Sequence, residues 1–136
     1  MEEQKLQELY VEFQMLTQHL KQLQQQQQIL SQQMMEIAQS AHSLEDISLV
    51  KQGTETFVPL SSGVFIKAKI LDTENVIVTV GANAAASKTT KEAKELMDKQ
   101  LKDSEQLNAK ITMQIDRFSK KAATLQKQLQ ELLPKE

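Results

Sequence analysis

A mainly helical α+β chain, with two long helices flanking two short β-hairpins, is predicted from three observations. Apolar residues recur in steps of three and four over roughly the first fifty residues and again over roughly the last forty. Between them, over residues 54–88, the period shortens to two and β-branched residues accumulate. Turn-forming residues are scarce, with 3 Gly and 2 Pro in 136 residues, which argues against a many-stranded sandwich or barrel within one chain. Aromatic residues make up only 4% of the sequence, too few to fill an ordinary compact core.

In the first helix, predicted over residues 3–51, the repeat runs through Leu6, Leu9, Phe13, Leu16, Leu20, Leu23, Gln27, Leu30, Met34, Ile37, Ala41 and Leu44. A seven-residue repeat keeps one narrow stripe on a single helix face and favours supercoiling with a partner helix. The intervening positions, including the run Gln24 to Gln28, are mostly polar and suit a solvated face. Lys51 followed by Gly53 reads as a helix end with a left-handed glycine cap. At 1.5 Å per residue such a helix is roughly 70 Å long.

The middle section reads as two hairpins over residues 54–88. Thr54–Leu60 is followed by Ser61-Ser62-Gly63 and then by Val64–Leu71, in which Lys67 and Lys69 alternate with Ala68 and Ile70. Asp72–Asn75 is a turn, Val76–Val80 a β-branched strand, Gly81–Asn83 the next turn, and Ala84–Lys88 a weaker strand. Pro59 has no N–H to give a ladder and belongs at a sheet edge or strand end.

The second helix is predicted over residues 89–133, opened by a capping box of Thr89 and Glu92 and closed by Pro134. Its stripe is Met97, Leu101, Ser104, Asn108, Ile111, Ile115, Phe118, Ala122, Leu125, Leu129 and Leu132. Helices of matching length fold back as an antiparallel coiled-coil hairpin with the strands at its closed end, the whole of 1–136 forming one unit. With residues 51 and 90 opposed, Phe13 falls near Leu125 and Leu129, and Leu20 near Ala122 and Phe118. Gln27, Ser104 and Asn108 interrupt the seam, where polar residues weaken packing but set register.

Two-stranded ribbons bury little and are marginal alone, and open edges beside Val76, Ile77, Val78 and Val80 invite aggregation. Pairing with strands of other subunits resolves both problems, so an obligate oligomer joined through its β section is expected. Other classes find no support. The formal net charge of −2 offers no footprint for nucleic acid. The absence of Cys excludes disulfides and thiol chemistry. No apolar run approaches the roughly 20 residues of a membrane span, and Met1–Lys5 lacks a secretory signal pattern, so a cytoplasmic protein is expected. His19 and His42 stand alone as solvated side chains, Glu2-Glu3 and Glu45-Asp46 as solvated faces, and Gly53, Gly63 and Gly81 as turn residues. No catalytic constellation, cofactor site or metal site is expected.

Phe57–Leu60, Ser62–Lys69 and Val76–Gly81, ending in Lys88-Thr89 before a long helix, resemble the α class of prefoldin subunits, in its archaeal form without terminal extensions. The two-hairpin middle distinguishes that class from the one-hairpin β class. The resemblance implies a hexameric chaperone of two α-class and four β-class subunits joined through inter-subunit β-barrels. It implies that coiled-coil ends hold unfolded client proteins and pass them, without ATP, to a group II chaperonin. On this reading Leu6, Leu9, Tyr10, Phe13, Leu129, Leu132 and Leu133 contact clients, with Tyr10 and Leu133 beside the seam and the others within it. Phe57, Val58, Leu60, Val64, Phe65, Ile66, Ile70, Val76, Ile77, Val78 and Val80 serve oligomerisation. The alternative is a structural coiled-coil adaptor that keeps its ends sealed.

Overall fold

The structure, a computed structural model, describes residues 2–133; Met1 and Pro134, the expected helix stop, lie outside the described residues. Helix α1 (Glu2–Ser48) leads into strands β1 (Glu55–Ser61), β2 (Val64–Lys69), β3 (Asn75–Gly81) and β4 (Ala84–Thr89), and helix α2 (Thr90–Leu132) follows. β1 pairs antiparallel with β2, and β3 with β4, as two separate two-stranded sheets. The chain divides into two compact units, one made of residues up to 34 with those from 103 onward, the other of residues 35–102.

In the first unit the expected stripes face inward. Leu23, Leu30 and Ile111 form a buried cluster with Met34, Ile115 and Phe118 packed against it, and Leu125 is buried as well. Burial is worth roughly 25 cal/mol per Å² of apolar surface, so a helix presenting one apolar residue per turn gains most of its stability from this face. His19 meets Phe118 edge-on, with ring centroids 5.1 Å apart, at the level anticipated for Leu20. Glu12 reaches Lys121 at 3.5 Å, about one turn short of Leu125. The polar break is satisfied across the seam: the Gln27 amide donates to Thr112 Oγ1 at 2.8 Å and to Asn108 Oδ1 at 3.3 Å. A shift of either helix by one turn breaks this pair of bonds, which is how a polar layer selects register.

In the second unit the end of α1 differs from expectation. The helix stops at Ser48, where Leu49 and Val50 donate to the carbonyls of Asp46 and Ile47 in a tightened last turn. Gly53 is therefore not the helix cap. Its φ of 89° lets its N–H reach the Ile70 carbonyl at 2.7 Å, while Ile70 N–H returns to Thr54, so the glycine closes the base of the first hairpin. Pro59 lies opposite Phe65 beside a register shift, in a strand whose other edge carries no partner among the described residues, as its missing N–H demands.

The turn into β3 is built by Asp72, whose Oδ1 accepts the N–H groups of Glu74 and Asn75. The Asn75 side-chain amide donates to Oδ2, and these bonds, the Asn75 side chain foremost, hold the carboxyl below its usual pKa. The turn between β3 and β4 has both central residues, Ala82 (φ 46°) and Asn83 (φ 62°), in the left-handed region. That is the backbone of a primed hairpin turn, which suits Asn but strains Ala. Ala82→Gly is expected to raise stability by about 0.5–1 kcal/mol, read as a higher urea midpoint; an unchanged or lower midpoint would disprove the strain.

Thr89 caps α2, its Oγ1 accepting Glu92 N–H and donating to Glu92 Oε1, both at 3.0 Å. Thr90 fastens the helix start to the turn between β2 and β3 through Glu74 O and Thr73 O. Thr90 and Ala93 are buried, so the inward stripe of α2 begins before Met97.

Candidate assembly and binding surfaces

Alternation along β1 and β2 places two sets of side chains on opposite faces of the first hairpin. Val58 faces Ile66 across the pair, while Phe57 and Phe65 stand diagonally on the other face, opposite Lys67 and Pro59. Both faces are open: Phe57 is 67% and Phe65 60% exposed, and Val58, Leu60, Val64 and Ile66 are exposed too. Glu55 and Lys67 close an ion pair at 2.9 Å beside Phe57. Apolar residues on both faces of a two-stranded ribbon leave it without a core of its own, and contiguous exposed apolar surface of this kind marks an interaction site.

The second hairpin has one face covered by its own unit. Val78 is 8% exposed and Val76 half-buried, above a groove lined with Leu44, Ile47 and Met97. Ile77 and Val80 remain exposed, and Ile70 is half-buried. Of the strand residues singled out for oligomerisation, Val78 thus packs within its own chain, while Ile77 and Val80 are the large apolar side chains that β3 leaves exposed. The spacing of two separates these neighbours onto opposite faces but does not say which face meets the helices.

At the ends of the helices, Leu6, Leu9, Phe13, Leu129 and Leu132 are half-buried at seam positions, while Tyr10 and Leu133 are exposed. Two apolar side chains outside the seam join them. Val11 and Met15 (66% exposed) line a groove with Leu16, His19 and Lys121. Their spacing of four was present in the sequence, off the main stripe.

Among the described residues, no group of His, Cys, Asp or Glu is placed to hold a metal ion, and no helix is long and apolar enough to cross a membrane. His42 pairs with Asp46 at 3.5 Å on the surface of α1. What the two surfaces have in common is uncovered apolar area, which marks a site of interaction.

Comparison with known proteins agrees with this architecture. A sequence model of the prefoldin subunit family matches residues 16–135. The chain is 30% identical to prefoldin subunit alpha of Methanococcus aeolicus over 93% of its own length and 85% of that protein's. It is 29% identical to prefoldin subunit alpha of Methanobrevibacter smithii over 96% of its length and 88% of the relative's. A filamentous PFD from Methanocaldococcus jannaschii, solved by cryo-EM, has a similar fold, with a TM-score of 0.71 over 82% of this chain and 93% of that one, at 20% identity.

Proposed function

This chain belongs to the prefoldin family, whose members are chaperone subunits and not enzymes and assemble with other prefoldin subunits, and from that premise we propose that it holds unfolded client proteins at the ends of its two helices. The observation that carries the reading is the set of apolar side chains left uncovered there: Tyr10, Val11, Met15 and Leu133, beside the half-buried seam residues Leu6, Leu9, Phe13, Leu129 and Leu132. Each contact is weak, and several chains acting on one client raise the effective affinity through multivalency. Weak, plural contacts permit release without ATP.

The open strands are the proposed means of assembly, two chains of this α class joining four of the β class through shared β-sheet. The assembly is proposed to act in the cytoplasm and to deliver its clients to a group II chaperonin.

The test replaces only exposed side chains. Tyr10→Ser, Val11→Ser, Met15→Ser and Leu133→Ser, combined, are expected to leave the assembly mass unchanged. They should raise by roughly threefold or more the amount of assembly needed to suppress aggregation of a denatured client. Undiminished suppression would leave the helix ends sealed, as in a structural adaptor.

A further inference from the structure

Charge is unevenly placed along α2. Residues 13–35 and 106–130 hold six of the chain's sixteen cationic side chains, Lys21, Lys110, Arg117, Lys120, Lys121 and Lys127, but only one of its eighteen acids, Asp116. The remainder of the chain is correspondingly acidic. On α2 four of these cations share one row: Lys110, Met113, Arg117, Lys120, Thr124 and Lys127 follow one another in steps of three and four, a single helix face. All six are exposed, Met113 by 70%, and none belongs to the buried stripe of Ile111, Ile115, Phe118 and Leu125. Asp116 is taken up by Lys120 at 3.2 Å and Lys121 by Glu12. Lys110, Arg117 and Lys127 have no ion-pair partner among the described residues.

We propose that this face of α2 is a docking surface for an acidic polypeptide segment, distinct from the apolar helix ends. Charge complementarity names the occupant. The unpaired cations stand seven and ten residues apart, about 10 and 15 Å along the helix, spacings that meet carboxylates scattered along a chain. Nucleic acid presents a far denser row of charge, about one per 1.7 Å of duplex, and single strands further ask for aromatic stacking platforms. This face has none, because its exposed apolar member is Met113, a flexible side chain suited to varied aliphatic partners. The acidic remainder of the chain opposes a polyanion at long range while leaving a short acidic segment free to dock locally.

The test measures binding of a fluorescent Asp/Glu-rich peptide and of its Asn/Gln counterpart to the full-length chain in its assembled form. The acidic peptide is expected to bind at least about tenfold tighter and to lose affinity steeply as salt rises from about 50 to about 300 mM. The triple variants Lys110→Gln/Arg117→Gln/Lys127→Gln and Lys110→Glu/Arg117→Glu/Lys127→Glu should both weaken it by about tenfold or more. Neither should change helix content or suppression of aggregation of an uncharged apolar client, so failure here is separable from failure of client holding. Equal binding of the two peptides, or full binding by both variants, overturns the proposal. Tighter binding of a single-stranded oligonucleotide of the same charge overturns the choice of occupant.

Discussion

Phe57→Asp with Phe65→Asp is expected to abolish assembly, leaving a species of the single chain's mass when the variant is mixed with a β-class partner. The two rings stand diagonally on one open face of the first hairpin. In an assembly that buries this face the change removes two large apolar groups and strands two carboxylates in their place. A fall of about a thousandfold in the association constant is anticipated. Helix content should hardly change, because neither side chain is buried within the chain itself. Native mass measurement decides the matter: a mass distribution like that of the unaltered chain would show that this face is not used for assembly.

Leu30→Ala carries the second large effect. Leu30 is 7% exposed within the cluster of Leu23 and Ile111, whereas its neighbour Ile29 is 61% exposed. Truncating Leu30 should cost about 2–3 kcal/mol, toward the lower end for buried leucines because a two-helix seam relaxes around a gap. Ile29→Ala should cost at most about 0.5 kcal/mol. Denaturant unfolding followed by circular dichroism compares them, and equal losses from the two variants would remove the seam as the source of stability.

Much of this architecture was legible without coordinates. Up to Leu44 the inward residues of α1 are Leu6, Leu9, Phe13, Leu16, Leu20, Leu23, Gln27, Leu30, Met34, Ile37, Ala41 and Leu44, those of the seven-residue repeat, because helical geometry converts spacing directly into a face. The strands and their turns were legible for the same reason, with period two in place of three and a half. The start of the α2 stripe was not: Thr90 and Ala93 lie seven and four residues before Met97, in phase with it, but a polar and a small residue carry little hydrophobic signal. Nor was the glycine at 53, whose left-handed backbone serves a hairpin base; a positive φ is equally useful in either place.

Of the candidate surfaces, Tyr10 and Leu133 were placed beside the seam by phase alone, and both are exposed. Val11 and Met15 stood out only once exposure was known, since an off-stripe apolar pair is indistinguishable in sequence from scattered surface residues.

Sequence by itself determined which side chains share a face, where the period changes, and that two ribbons of strand lack a core. Tertiary structure decided what each face meets. Val78 is covered beside the groove of Leu44, Ile47 and Met97 while its neighbour Ile77 stays 78% exposed, and Gln27 finds Thr112 and Asn108. Periodicity is a property of one element and its own axis, whereas burial and hydrogen bonding belong to pairs of elements far apart in the chain.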